Sequence, residues 1–482
     1  MRPNISILED DIKEKVFVEA MEILEEIGFF VENQEALEIL QEAGLNVDVE
    51  KRRVKLPPDL VKKSLQSAPS SITLFDREGK EVTKLEGDNI CFDPGSAALN
   101  VLDPETKKIR TAVTKDFVDF TKVVEQLEHI QAQSTAIICS DVPEEVGDRY
   151  RLYLALIYSK KPIVTGTFAK ESFEIMKDML IAVRGDKKEL RNKPLAIFDA
   201  CPSPPLKWSD LTCQSIIDCA KYGIPSEFVS MPMTGANAPV TLLGAIVQHA
   251  AETLAGLVIT QLVSPGTPVI WGGSPAAFDM RKGTTPMGSI DTMMIDLGYA
   301  EIGKYLNLPT HAYLGMSDAK ILDAQSGLES GMGTLLAGIK GINMISGAGM
   351  IDFETTQSIQ KVIIDNEICG MTYKFIKGII QRDEPIAKNL LIDLEERTHL
   401  LSHDHTLKWF REEQYIPSQV IDRATTEEWI NKGRKTIGDR ANEQVKKFLD
   451  KYPGVTLDKD ILSDISEIMK YKGKDFRENL DI

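Results

Sequence analysis

Short apolar runs alternate down the middle of the chain with longer stretches whose apolar positions recur every three to four residues. The runs are Ile90–Phe92, Ile130–Ser134, Ile163–Thr167, Leu195–Ala200, Phe228–Met231, Val269–Gly272, Ala312–Met316 and Met344–Gly347. Helical periodicity follows each run, over Phe117–Gln126, Arg149–Ser159, Ser172–Val183, Ser209–Tyr222, Thr241–Val263, Met294–Leu306, Gln325–Gly338 and Ser358–Lys377. The starts fall about 30 to 45 residues apart, the length of a strand, a helix and two loops. Eight such units predict an α/β fold, a (β/α)8 TIM barrel, in which chemistry gathers where the strands end.

The flanks have a different pattern. Asp10–Ile27 and Gln34–Ala43 read as helices stopped by Gly28 and Gly44, and Pro57–Leu65 as a third helix opened by prolines. Ile72–Lys84 reads as a hairpin turning at Gly79. After Lys377 the apolar pattern thins into polar helices near Thr406–Glu413 and Thr425–Leu449. The expected organisation is an N-terminal helical cap with a hairpin (1–85), the barrel (86–378) and a polar helical C-terminal extension (379–482) that wraps the barrel or meets a partner. Thr241–Val263 is apolar nearly all round, so it is expected to pack against a neighbouring helix or another subunit, which leaves room for a homo-oligomer.

Bulk properties narrow the function. The 482 residues carry a formal net charge of −17, which argues against a nucleic-acid partner. Mean hydropathy is −0.15. No apolar stretch is expected to reach the roughly 18 residues that a bilayer span needs, so no membrane association is expected. The acidic start, Met1–Asp11, lacks the pattern of a secretory signal. A cytoplasmic protein is the expectation. The six cysteines form no C-x-x-C pair and suit buried thiols better than disulfides or zinc.

The strand ends are rich in glycine, methionine and aromatics. They include Phe92-Asp-Pro-Gly95, Thr165-Gly-Thr-Phe168, Asp199-Ala-Cys201, Trp271-Gly-Gly-Ser-Pro275 and Tyr313-Leu-Gly-Met-Ser-Asp318. Of six histidines, only His129 and His311 adjoin barrel strands, and both stand at strand entrances, the end away from chemistry. His403-Asp-His405 is an H-x-H pair without a third ligand in view, so no metal site is expected. There is no nucleophile elbow, and Gly347-Ala-Gly349 lacks the third glycine of a dinucleotide fingerprint, where Asp352 stands. No catalytic acid, base or nucleophile is singled out. Phe92, Phe168, Trp271 and Tyr313 come from separate strands and could line one mouth, where ring faces attract a quaternary ammonium; they would serve equally as core aromatics. Arg281, beside Asp279, is a carboxylate anchor or half of a structural ion pair.

Several separated segments resemble the trimethylamine methyltransferase family. They are Pro232–Gly244, Glu252–Ile270, Asp279-Met-Arg281, Ser317–Gly327 and His405-Thr, and the likeness runs from the cap to Trp429 and beyond. The resemblance implies a TIM barrel moving a methyl group from an amine to the cobalt of a corrinoid (cobalamin) held by a separate corrinoid protein, with no cofactor bound to this chain. Trimethylamine-specific members carry a pyrrolysine near the end of strand seven, whereas Gly315-Met-Ser-Asp318 holds only standard residues. The resemblance therefore implies a quaternary amine, foremost glycine betaine, with proline betaine and carnitine as alternatives. Phe92, Phe168, Trp271 and Tyr313 then become the ammonium cage, Arg281 the carboxylate anchor and Asn237 a hydrogen-bond donor. His403 and His405 become second-tier candidates, on a tail folded over the rim. Outside this class stand a lyase or hydrolase using Asp93, Asp199 and Asp318, and a betaine-binding protein.

Overall fold

A computed structural model of the chain describes residues 2–95, 97–393 and 399–476. The eight expected strands are present as β1 (Cys91–Pro94), β2 (Gln133–Ser134), β3 (Ile163–Gly166), β4 (Ala196–Ala200), β5 (Ser226–Ser230), β6 (Val269–Gly273), β7 (His311–Tyr313) and β8 (Met344–Ala348). A helix follows each: α1 (Thr114–Glu125), α2 (Gly147–Tyr158), α3 (Lys170–Arg184), α4 (Asp210–Tyr222), α5 (Leu242–Val263), α6 (Ile290–Tyr305), α7 (Ala324–Lys340) and α8 (Ile359–Ile376). All the strands run parallel, as the crossover helices require. β2 to β6 pair in sequence order, and β7, β8 and β1 form a second sheet. One seam is the bridge from Trp271 to Thr310. The other is made by the Gln131 and Ala132 N–H groups, each 3.1 Å from the Phe92 carbonyl. Local chemistry places the helix ends: Ser209, Ser289 and Ser358 cap α4, α6 and α8 through their side chains, and Gly341 ends α7 at φ 74°.

Strand alternation sorts side chains into an outer set and inner layers. Outward residues meet the helices: Phe92 packs edge-on to Tyr373 of α8 at 5.3 Å, and Phe198 packs against Phe173 of α3 at the same distance. The innermost layer at the strand entrances is Cys91, Ala132, Val164, Ile197, Ile270 and Met344. Ile72, Leu74 and Leu85 of the hairpin Ile72–Phe75/Glu81–Leu85 join this cluster, so the hairpin plugs that end of the barrel.

The helices Asp10–Glu26, Gln34–Glu42 and Pro58–Ser67 lie over α5. That cover explains its apolar surface, and neighbours within the chain fill the place where a second subunit was considered. One expectation needs correction here. By length and composition α5 does qualify as a span, with 22 residues and mean hydropathy 1.6, because its scattered polar residues are too few to lower the average. Of its most apolar window, 83% is buried inside the protein.

The tail wraps the barrel. Ile437–Asp450 packs on α8 and α1, and Lys459–Met469 on α3 and α2, where the Tyr153 and Ser466 hydroxyls lie 2.9 Å apart. The single helix expected over Thr425–Leu449 is two, Thr426–Asn431 and Ile437–Asp450, broken around Gly433 at φ 90°.

Candidate functional site

The middle layer of the barrel interior is polar. Asp93, Asp199, Glu227, His311 and Ser346 occupy strand positions that alternate with the outward residues. Asp93, Glu227, His311 and Ser346 are each at most 1% exposed. A chain of contacts crosses the layer. The Ser346 hydroxyl donates to Asp93 Oδ1 at 2.5 Å and lies 3.0 Å from His311 Nε2. His311 Nδ1 is 3.2 Å from Glu227 Oε1, close but not aligned as a hydrogen bond. Gly272 leaves room for this contact, because a Cβ there would stand 2.8 Å from His311 Nδ1 and 3.2 Å from Glu227 Cγ.

Burial sets the charge of the layer. It pushes His311 down to about 3, so the imidazole is neutral at ordinary pH. Burial, with Asp199 and Asp93 nearby, drives Glu227 far above the carboxylate range. Asp93 is raised in the same direction, by burial first. Burial and mutual repulsion thus disfavour charge on Asp93 and Glu227, and a nearby positive charge would favour it.

Above it, at the strand exits, Tyr313 sits among Ala98, Val229, Ala276, Met287, Met316 and Met350. A small rim sheet joins the loops after β1 and β8, pairing Asn100–Leu102 with Ile109–Thr111 and with Thr356–Gln357, which pairs in turn with Met350–Ile351. Its connecting turn places Asp352, Phe353 and Glu354 at φ 54°, 56° and 65°. Three successive non-glycine residues in that region carry strain of roughly 1–2 kcal/mol each. Lys320 holds the turn, with Nζ 3.7 Å from the Phe353 ring centroid and 3.6 Å from Asp352 Oδ1. The turn delivers Glu354 to the Ser274 hydroxyl at 3.1 Å, where burial lifts its carboxyl to about 7. Asp318 accepts the N–H groups of Met287 and Gly288, both at 2.9 Å; burial outweighs those bonds and raises it to about 6.

A cleft of about 260 Å³ opens beside this mouth, between the exits of β3 and β4. Arg151, Phe168, Thr135, Asp199 and Cys201 are among its lining residues. The Arg151 guanidinium lies 4.6 Å from the Phe168 ring centroid.

The expected cage is only partly assembled. Tyr313 is at the mouth, and Phe168 borders the cleft, 48% exposed, with Arg151 already over its ring. Phe92 and Trp271 point the other way. Phe92 packs on α8, and Trp271 donates Nε1–H to the Tyr299 carbonyl of α6 at 2.9 Å. Both sit one position out of phase with the inward residues Asp93 and Gly272. Arg281 is a surface residue, its side chain 88% exposed and paired with Asp279 at 2.9 Å. Asn237 closes a local turn, its Oδ1 accepting the Met233 N–H at 2.7 Å.

His403 caps the helix Asp404–Glu413, and His405 Nε2 lies 3.2 Å from Asp383. That helix is tied to Lys374, in the last turn of α8, through the Glu412 carbonyl. It therefore lies at the closed end of the barrel, not over the rim. His311, set aside as a strand-entrance residue, points into the interior and joins the acid layer. Among the described residues no group of three or more His, Cys, Asp or Glu side chains is placed to hold a metal ion.

Sequence reasoning missed Arg151, Glu227, His311 and Glu354. The signal for the interior set was present: each of Asp93, Glu227, His311 and Ser346 is a polar residue within or at the edge of an apolar run, in inward phase. For Glu354 there was none, because the left-handed turn that aims it has no glycine.

These features define an α/β barrel with an acidic, buried interior layer beneath a methionine-rich mouth that carries Tyr313. The fold is that of the crystal structure of the Methanosarcina barkeri monomethylamine methyltransferase MtmB, with a TM-score of 0.55 at 12% identity over 94% of this chain and 90% of that one. The chain belongs to the trimethylamine methyltransferase (MTTB) family, whose family model matches residues 1–476. It is 32% identical over 455 residues to trimethylamine methyltransferase MttB of Desulfitobacterium hafniense (strain DSM 10664 / DCB-2), covering 94% of this chain and 91% of the relative. Against MttB of Methanosarcina barkeri (strain Fusaro / DSM 804) it is 33% identical over 476 residues, 97% of this chain and 95% of the relative. Glycine betaine methyltransferase of Desulfitobacterium hafniense (strain Y51) is 29% identical over 478 residues, 99% of both.

Proposed function

We propose that this chain is a cytoplasmic methyltransferase that moves a methyl group from a quaternary amine, foremost glycine betaine, to the cobalt(I) of a corrinoid carried by a partner protein. The observation that carries this reading is the buried carboxyl layer beneath Tyr313 at the open end of the barrel. A quaternary ammonium has no N–H to donate and is recognised by ring faces and diffuse negative charge. Buried carboxyls supply that charge when a cation arrives, and the dry surroundings strengthen it.

The reaction asks for little acid–base chemistry. The methyl group leaves as the N–C bond breaks, the electron pair returns to nitrogen, and dimethylglycine departs as a neutral tertiary amine with no proton delivered. The partner's corrinoid supplies the nucleophile as a co-substrate. This chain's share is to hold the ammonium over the acid layer, aim one N–CH₃ bond out of the mouth and keep water away. Standard residues at Gly315–Asp318, where the resemblance places pyrrolysine in trimethylamine-specific relatives, favour a quaternary substrate.

The test follows the visible spectrum of chemically reduced cobalamin(I) mixed with the purified chain. Glycine betaine, proline betaine, carnitine and trimethylamine are offered in turn. Methylcobalamin is expected from a quaternary amine and not from trimethylamine. A response to trimethylamine alone overturns the substrate, and silence with every amine, even with a cognate corrinoid protein, overturns the reaction. Turnover without any corrinoid would instead favour the lyase or hydrolase reading, with Asp93, Asp199 and Asp318 as the acids and bases.

A further inference from the structure

Arg151 is a cation set within the apolar packing of the barrel. It lies on α2, every residue of which is buried, and is itself 1% exposed. A guanidinium so placed normally faces a carboxylate, because an uncompensated buried charge is costly. Here its hydrogen bonds go to neutral main-chain carbonyls, Nη1 to Thr135 at 2.5 Å and Nε to Gly147 at 3.3 Å. Cys139, Asp148 and Asp199 lie near enough to favour its charge. Asp148 is engaged elsewhere, accepting from the Phe168 N–H at 2.7 Å, the Ser172 hydroxyl at 2.8 Å and the Arg149 N–H at 2.7 Å. Arg151 keeps its charge, since burial lowers it only to about 10.

The cleft that Arg151 lines is the one that Asp199 lines, so a buried cation and the edge of the acid layer share a cavity of about 260 Å³. A lone anion entering it would answer Arg151 and not Asp199, and a lone cation would meet the guanidinium. A molecule carrying both charges a few bonds apart satisfies both ends. We infer that Arg151 is the carboxylate anchor of the substrate site, and that the cleft selects zwitterions whose ammonium lies toward Asp199. The inference deepens the methyl-transfer reading and rests on it for the identity of the cation. It moves the anchoring role from Arg281, which is on the surface, to a residue of a barrel helix.

The experiment compares glycine betaine with choline, in which a hydroxymethyl group replaces the carboxylate. Binding of each is measured by calorimetry, and methyl transfer to cobalamin(I) by absorbance, for the unaltered chain, Arg151→Gln and Arg151→Lys. The unaltered chain should bind glycine betaine on the order of tenfold or more tighter than choline. Arg151→Gln should remove most of that preference through KM and leave choline nearly unaffected. Arg151→Lys should restore part of it, because a lysine supplies the charge without the planar fork. Equal affinity of the unaltered chain for the two ligands overturns the inference, and does so even if the variants fail to fold. Equal losses for both ligands in a folded Arg151→Gln overturn it as well. Selective binding of glycine betaine without methyl transfer would leave the inference standing and sink the proposed reaction.

Discussion

The same eight strands build two unlike regions two residues apart. At their entrances Cys91, Ala132, Val164, Ile197, Ile270 and Met344 form a dry apolar layer sealed by the hairpin. One inward step along the strands, Asp93, Glu227, His311 and Ser346 are equally buried, with exposures of 1% or less, yet polar. Burial is therefore not what separates them. The first layer gains its stability from apolar contact, whereas the second holds carboxyls whose ionisation burial and neighbouring carboxyls disfavour. Apolar packing is concentrated at the closed end of the barrel and titratable groups in the layer beneath the open end. This is the division that barrels of this kind allow between their two faces.

The largest effect should come from damaging the first region. Ile270 is fully buried, and Ile270→Ala leaves a cavity between the hairpin and the barrel floor. Urea unfolding should show a loss of about 2–5 kcal/mol. Binding of glycine betaine to the folded fraction should be unchanged, because the substitution lies a layer below the carboxyls. A parallel loss of affinity would mean that the two regions are not separable.

The next effect sharpens the charge side of the comparison. Glu354 is raised from its ordinary 4.5 to about 7. Its sign is that of a group raised on folding: its contribution to stability is fully present below pH 4.5 and is lost as pH climbs through about 7. A shift of that size corresponds to about 3 kcal/mol, which partial exposure of the side chain reduces to roughly 2. Glu354→Gln should therefore flatten the fall in unfolding free energy between pH 4.5 and 7 relative to the unaltered chain. Asp318, raised to about 6, titrates in both proteins, and because its charge helps to raise Glu354 the difference also carries their coupling. Identical pH profiles would show that Glu354 is not held protonated.

The fold was nearly all legible from periodicity, the site much less so. Every barrel strand and helix was found to within a few residues, since apolar runs and helical stripes report burial directly. The site depends on phase instead. A shift of one position sends a side chain to the opposite face. Choosing Phe92 and Trp271 for their chemistry, rather than Asp93 and Gly272 for their phase, placed two of the four cage aromatics on the outside. Arg151 left a fainter mark, a cation within Tyr150-Arg-Leu-Tyr-Leu-Ala-Leu-Ile-Tyr158. That helix looks half-exposed until the tail helix Lys459–Met469 is seen to cover it. The turn at Asp352–Glu354 could not be read locally, because residues that ordinarily avoid left-handed backbone are held there by Lys320 from another loop.

The smallest effect is the most diagnostic, because it sets the two regions against each other at one residue. Glu227→Gln keeps the shape of the side chain and removes its ability to ionise. If the acid layer exists for structure, the substitution should leave ligand binding alone and alter only stability. If it exists to answer a cation, the reverse holds: folding stability near neutral pH should be unchanged or slightly raised, since a neutral amide suits a buried site. Affinity for glycine betaine should then fall about tenfold, equivalent to roughly 1.4 kcal/mol. Proton release provides the independent reading. An arriving ammonium lowers the pKa of nearby carboxyls, so binding below their raised values expels protons, and affinity grows as pH rises. Calorimetry in two buffers of different ionisation enthalpy should detect that release in the unaltered chain and a smaller one in Glu227→Gln. Equal release in both would assign the ionising group elsewhere, to Asp93 or Glu354. An absence of release in the unaltered chain would return the whole layer to structure.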